Sequence, residues 1–162
     1  MTGNIIDAAR GYPEIGFAAG DVLIREGTHS PPLLILAEGT VSVFRGDIRV
    51  SRTSAKGAIF GEMSILLNLP STASVIAETA VRAVRIDDGE DFLASRADVS
   101  LHAAKLLAQR LYDATTYLVD LKRQFMDEES HLGMVDRILG SLLTQQLDQS
   151  VRPEEDRPDP RL

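Results

Sequence analysis

Short runs of β-type residues, separated by glycines, dominate the first half of this chain. Eight of its twelve glycines lie within residues 11–86. The runs between them are residues 22–24, 33–37, 41–44, 48–50, 75–77 and 81–86. Short strands at close spacing with glycine turns are typical of a sandwich or a barrel. Gly46 and Asp47 lie between two of the runs, and we expect them to form a tight hairpin turn because such turns require positive φ angles.

The pattern changes to a helical one after residue 97. Apolar residues then recur at alternating separations of three and four, at Ala104, Leu107, Leu111, Ala114, Leu118, Leu121 and Phe125. This heptad seam predicts a helix over about residues 99–128, roughly 45 Å long. The seam favours a homodimer through the helix 104–125, with a symmetric copy as the partner. The alternative is that the seam packs lengthwise on the chain's own β-structure.

A second helical pattern follows Gly133. Its broad apolar face consists of Val135, Ile138, Leu139, Leu142, Leu143 and Leu147, and Gly140 interrupts it. A glycine inside a helix costs about 1 kcal/mol relative to alanine. The segment 150–162 carries three prolines and is rich in charge, so we expect it to be a disordered tail.

Composition excludes several classes of protein. A chain of 162 residues without cysteine has no disulfide scaffold, thiolate nucleophile or zinc ribbon. A formal charge of −7 opposes non-specific nucleic-acid binding. Neither an apolar stretch long enough to span a membrane nor a signal peptide is evident, so we expect a cytoplasmic protein with no membrane partner. His29, His102 and His131 are far apart in the sequence, so we expect neither a metal site nor an enzyme of the cupin type.

The segment that begins at Gly61 carries the residues best suited to binding. A glycine there lets the backbone approach a ligand closely. Residues 63–68 predict a short helical turn, and the first amides of such a turn form a small anion site. Ser71 and Thr72 add hydroxyl groups, and Glu62 either accepts hydrogen bonds from a sugar hydroxyl or caps the turn. The pattern indicates a cradle for a phosphate attached to a ribose.

This segment resembles the phosphate-binding cassette of the cyclic nucleotide-binding domain family. Residues 20–27, GDVLIREG, are similar to the family's opening strand and its glycine turn. Residues 34–43 are similar to the run that follows, and residues 57–62 match the motif GxxFGE. The likeness covers roughly residues 16–125.

The resemblance implies a mainly β plus α fold. We expect a double-stranded β-helix, that is, a jelly-roll-like β-roll of about eight strands, with flanking helices and a long C-terminal helix. Residues 1–98 would form the β-roll. Residues 99–149 would form the long dimerisation-type helix and a second helix, followed by the tail 150–162.

The resemblance also implies a role for individual residues. In the family, the glutamate of the motif bonds the ribose 2′-hydroxyl, which assigns that role to Glu62. The amides just after this glutamate face the cyclic phosphate, which assigns that role to Met63 and Ser64. A hydroxyl midway along the long helix closes over the base in related regulators, and Thr115 stands near that position. The alternative for Thr115 is a hydrogen bond back to the preceding helical turn.

One position departs from the family's pattern. An arginine that pairs with the phosphate usually stands nine residues after the glutamate, and Ser71 occupies that place here. Thr72 and Ala73 fit the two positions that follow. Loss of a charge-assisted contact weakens binding roughly 10- to 150-fold. Arg82 and Arg85 offer substitute partners, although arginines that alternate with apolar residues are more often a solvated strand face.

The resemblance implies a stand-alone regulatory or sensor module that binds cAMP, cGMP or a related small anionic ligand, without metal and without catalysis. Ligand binding would shift the long helix and change how it meets a partner, such as an effector protein. We expect no DNA binding, because residues 135–143 resemble the first helix of a helix-turn-helix and no recognition helix follows. The alternative is a β-roll without a ligand that acts as a dimeric protein-interaction module.

Overall fold

The computed structural model of the protein describes residues 4–125 and 129–144. Its strands are β1 (Glu14–Phe17), β2 (Val22–Ile24), β3 (Leu33–Glu38), β4 (Val41–Arg45), β5 (Ile48–Thr53), β6 (Ile59–Phe60), β7 (Ser74–Ala77) and β8 (Val81–Ile86). Its helices are α1 (Ile5–Ala8), α2 (Glu62–Leu67), α3 (Gly89–Ser95), α4 (Ala97–Gln124) and α5 (Glu129–Thr144). The six predicted strands are all present, whereas β1 and β6 were not predicted.

The strands form two four-stranded antiparallel sheets. The order in one sheet is β1-β8-β3-β6, and the order in the other is β2-β7-β4-β5. Among these pairs, β4 and β5 are the neighbours that directly follow each other in the chain, and they are joined at Gly46, whose φ is 58°. The remaining connections run between sheets, so the chain winds as a roll. This confirms the predicted β-roll with helices around it.

Strand β3 contributes to two apolar clusters because its side chains alternate between two faces. Leu34 and Leu36 belong to the inner cluster, which joins both sheets and also contains Ile24, Val41, Phe60, Val75, Ala77 and Val81. Leu33 and Ile35 belong to the outer cluster, which residues from α1, α3 and the start of α4 cover. All four side chains are buried. This double burial explains the continuous apolar run of the strand, and each such side chain contributes about 1.5–3 kcal/mol.

Helix α4 has 28 residues. It begins two residues before the predicted start at residue 99. The structure divides into two compact units after Leu106, and Val99, Ala103 and Leu106 pack on the outer cluster of the first unit. The first turns of the helix are therefore part of the roll's core.

The second unit contains the remainder of α4 together with α5. Lys122 of α4 forms an ion pair with Asp136 of α5. Helix α5 begins four residues before Gly133 and continues through Gly140. The predicted tail 150–162 and residue Leu147 lie outside the described residues.

Candidate functional site

The segment predicted to bind a ligand joins β6 to β7. We call residues 61–64 the cassette entry and residues 71–74 the cassette exit. Gly61 has a φ of 89°, and a Cβ atom there would lie 2.4 Å from the carbonyl oxygen of Pro32. The protein's own backbone thus approaches this glycine closely, which requires the absence of a side chain at this position.

Helix α2 places Glu62 and Ser64 in its first turn. Glu62 is 4% exposed and Ser64 is buried as well, so the glutamate side chain does not face solvent. The amides of Glu62, Met63 and Ser64 have no acceptor within the helix, as is general for a first turn. The helix ends at Asn68, whose left-handed conformation lets its N–H cap the carbonyl of Ser64. The predicted turn over residues 63–68 is thus displaced by one residue.

The hydroxyls of Ser71 and Ser74 in the cassette exit are engaged within the protein. Ser71 is 8% exposed, and its hydroxyl donates to the carbonyl of Ala73 at 2.9 Å. The Ser71 amide donates to Thr28 at 2.9 Å, and the Ser71 carbonyl accepts from Gly27 at 2.7 Å. Ser74 Oγ accepts from the amide of Glu26 at 2.9 Å. The Ser71 hydroxyl therefore donates within the cassette exit itself, to the carbonyl two residues further along the chain.

Arg45 contacts the cassette exit, and sequence reasoning did not single it out. Its Nε donates to the carbonyl of Thr72 at 3.2 Å. The signal that could have found it is the alternation of β4, because Val41, Val43 and Arg45 share one face of the strand. The contact itself depends on how β4 pairs with β7, which no short motif encodes.

Arg82 and Arg85 lie on the solvated face of β8, as the alternative interpretation expected. Arg82 pairs with Glu38 at 2.5 Å and with Glu14 at 3.1 Å. The hydrogen bond and the charge of Glu38 raise the pKa of Arg82 above its ordinary value. Arg85 pairs with Asp87 at 2.8 Å. Both arginines are exposed and engaged by carboxylates, so neither replaces the cassette arginine.

A second polar cluster surrounds Glu78, just beyond β7. The hydroxyl of Ser42 donates to its carboxylate, Arg52 Nε lies 2.5 Å from it, and Arg49 lies at 3.7 Å. The hydrogen bond from Ser42 is the largest cause that lowers the pKa of Glu78, followed by the hydrogen bond from Arg52. This cluster engages both arginines of β5.

Thr115 belongs to the second compact unit. Its hydroxyl donates to the carbonyl of Leu111 at 2.9 Å and lies 3.0 Å from the carbonyl of Tyr112. Thr115 thus makes the hydrogen bond to the preceding helical turn that was expected as the alternative to its contact with the base.

A cleft of about 290 Å³ lies on one side of α2. Its lining includes Ser64, Asn68, Asp87, Asp88, Glu90 and Asp91. Four carboxylates at one opening disfavour an anion, so the cleft does not match the predicted phosphate cradle. Among residues 4–125 and 129–144, no three His, Cys, Asp or Glu side chains are grouped to hold a metal ion. Nor is any helix in this part of the chain long and apolar enough to cross a bilayer.

Two curated proteins resemble parts of this chain. The cAMP-dependent protein kinase regulatory subunit of Hypocrea atroviridis is 39% identical over 66 residues, which are 41% of this chain and 14% of that protein. The CRP-like cAMP-activated global transcriptional regulator of Mycobacterium tuberculosis is 32% identical over 113 residues, which are 66% of this chain and 50% of that protein. The chain thus spans half or less of the length of these relatives.

A solved structure and a family model complete the comparison. The crystal structure of the Thermus thermophilus catabolite activator protein aligns with a TM-score of 0.57 at 22% identity, covering 86% of this chain and 82% of the other. This likeness shows a shared fold. The cyclic nucleotide-binding domain model matches residues 14–94, half of the chain, from β1 to the end of α3. The chain therefore belongs to the cyclic nucleotide-binding domain family.

Proposed function

We propose that this chain is a regulatory module that binds cAMP or a related cyclic nucleotide through the cassette between β6 and β7. The observation that carries the proposal is the burial of Glu62 in the first turn of α2, directly after Gly61. A Glu62 side chain that pointed into solvent would not contact a nucleotide bound at this site. Membership of the family supports the ligand class, and both relatives above are described by their dependence on cAMP.

The ribose would meet the cassette entry, and the cyclic phosphate would lie between the entry and the exit. Glu62 accepts hydrogen bonds from the ribose hydroxyl, and the amides of Met63 and Ser64 face the cyclic phosphate. Thr72 and Ala73 border the phosphate from the exit. Ser71 borders it as well, but its hydroxyl proton is engaged by the Ala73 carbonyl. Neutral hydrogen-bond donors hold an anion less tightly than cationic donors do. We therefore expect a moderate affinity for the cyclic nucleotide.

The module binds the nucleotide without changing it chemically. Binding orders the cassette and changes how the helical segment 99–149 meets a partner. The partners are a second copy of the chain and an effector protein in the cytoplasm.

Calorimetry with cAMP and cGMP tests the ligand. Glu62→Gln keeps the shape of the side chain and removes its charge, so we expect the affinity to fall about tenfold. Glu90→Gln is the matched control, because it removes a carboxylate that lines the acidic cleft and to which the proposal gives no contact with the ligand. We expect it to bind like the wild type. Absence of heat with both nucleotides up to about 1 mM contradicts the proposal and favours the protein-interaction alternative.

Exposed apolar residues on α4 favour dimerisation through that helix. Leu111 is 46% exposed and Phe125 is 47% exposed, and both belong to the predicted seam. Light scattering over a range of concentrations would measure the mass of the wild type and of Leu118→Glu. We expect a dimer that becomes a monomer in this variant, because a charge in an apolar seam opposes pairing. Val119→Glu, off the seam, should leave the mass of the dimer unchanged, and a wild-type monomer would contradict the dimer.

A further inference from the structure

We infer that Arg45 supplies the positive charge that holds the anionic group of the ligand at the cassette exit. This inference rests on the proposed function and deepens it, because it names the cation of that same site. Arg45 is the last residue of β4 and lies 27 positions before Thr72, with which it makes its hydrogen bond. The ligand chemistry it recognises is a phosphate monoanion.

Strand register brings Arg45 to this position. Val43 pairs with Val75, and Phe44 pairs with Ser74. One residue further along β4, Arg45 lies beside Ala73. Ala73 directly precedes β7 and belongs to the cassette exit. Side chains at alternate positions share a face of a strand, and Val43 on that face packs against the inner cluster. Arg45 therefore occupies the inner face at the end of the roll.

The charge of Arg45 is uncommitted within the part of the chain that the structure describes. Arg49 and Arg52 of the adjacent strand both pair with Glu78. Arg45 instead donates to a neutral carbonyl at 3.2 Å, is exposed, and has no carboxylate partner among the described residues. A guanidinium carries further N–H donors in a planar fork, which suits two parallel hydrogen bonds to a phosphate.

The loop around Glu26 holds Arg45 and the exit together. The Glu26 carboxylate accepts from the amide of Gly46 at 2.8 Å, and its own amide donates to Ser74 Oγ at 2.9 Å. The turn that follows Arg45 and the start of β7 are thus tied to the same residue. These hydrogen bonds fix the backbone on both sides of the proposed anion site, and the Arg45 side chain is oriented towards it by the hydrogen bond to Thr72.

Matched substitutions in one hairpin test the inference. Arg45→Gln and Arg49→Gln remove the same charge from the β4–β5 hairpin, so their long-range electrostatic effects are comparable. In cAMP calorimetry we expect Arg45→Gln to weaken binding roughly 10- to 100-fold. Arg49→Gln should weaken it less than about threefold, because Arg49 already pairs with Glu78. Thermal unfolding by circular dichroism shows whether both variants remain folded.

A second probe separates the failure of this inference from the failure of the proposed function. Inorganic phosphate is titrated into the isotope-labelled chain, and NMR follows the amides of Gly46 and Thr72. We expect saturable shifts in the wild type and in Arg49→Gln that are lost in Arg45→Gln. If the wild type binds neither cyclic nucleotide but shows these shifts, the proposed function fails and the anion site at Arg45 stands. Equal responses of wild type and Arg45→Gln to both probes, or no response of the phosphate-titrated wild type, would overturn the inference.

Discussion

The two ends of the cassette are built by different forces. At the entry, Gly61 lies against the carbonyl of Pro32, and Glu62 is buried behind it. At the exit, Ser71 and Ser74 are joined by hydrogen bonds to the loop of residues 26–28. The entry is therefore specified by close packing, whereas the exit is specified by polar contacts between segments that are distant in sequence.

This difference explains which part of the family's pattern the chain keeps. A residue other than glycine at the entry would collide with backbone, so the fold itself demands Gly61 regardless of any ligand. At Ser71, where the departure from the pattern occurs, the backbone amide and carbonyl hold the chain to residues 27 and 28, and these contacts do not depend on the type of side chain. The exit can change its side chains without losing the roll, so affinity and selectivity are more easily altered there than at the entry.

Gly61→Ala should give the largest loss of stability. The left-handed φ strains alanine, and its Cβ would meet the Pro32 carbonyl at 2.4 Å, so we expect a loss of about 3 kcal/mol or more. Gly20→Ala is the matched control, because its φ of 91° imposes similar strain and no atom lies within 4 Å of the added Cβ. Urea unfolding should show a loss of about 1–2 kcal/mol for the control. Equal losses in the two variants would contradict a packing demand at the entry.

Gly89→Ala should lower the free energy of unfolding by an intermediate amount, because it crowds the side chains between α2 and α3. An added Cβ would lie 2.6 Å from Ile65 Cδ1 and 3.1 Å from Leu33 Cβ. The end of the isoleucine side chain can move, whereas the β-carbon of a buried strand cannot, so we expect about 1–2 kcal/mol of destabilisation. Gly89→Ala combined with Ile65→Val should recover part of this loss in urea unfolding. If the double variant is no more stable than Gly89→Ala, the contact with Leu33 causes the loss of stability.

Ser71→Ala distinguishes a structural hydroxyl from a ligand-binding one at the exit. Loss of the hydrogen bond to Ala73 should lower the free energy of unfolding by about 1 kcal/mol. The affinity for cAMP should stay within about threefold of wild type, because the hydroxyl proton is already committed to the protein. Parallel urea unfolding and calorimetry provide the two values. A large loss of affinity with unchanged stability would return Ser71 to the role of phosphate donor.

The same contrast separates what sequence could predict from what it could not. Glycine spacing and β-type runs locate six strands, but β1 contains Glu14 and Gly16, and β6 has two residues, so neither carries a recognisable pattern. The cassette helix is predicted within one residue because the short apolar run of residues 63–68 and Pro70, which ends it, are local signals. The place of Glu62 follows from the same short motif.

The exit could not be predicted in this way. The contact between Arg45 and Thr72 requires β4 to pair with β7 in one particular register, and that pairing results from the whole roll. A register shift of one residue would turn Arg45 to the opposite face. Likewise, the use of the Ser71 hydroxyl by Ala73 depends on the local path of the chain, which residue type alone does not specify.

The smallest expected effect concerns pH and the strand that leads away from the exit. Glu78 follows β7, and the hydrogen bonds from Ser42 and then Arg52 lower its pKa in the folded state. A lowered folded pKa means that the contribution of Glu78 to stability is complete above the ordinary glutamate value of about 4.3 and is lost as the pH falls through the lower folded value. Thermal unfolding between about pH 5 and pH 3 should therefore decline less steeply for Glu78→Gln than for wild type. Because Glu78 and Arg52 are exposed to solvent, the difference should shrink at high salt. Identical pH profiles would show that protonation of other carboxylates causes the loss of stability in acid.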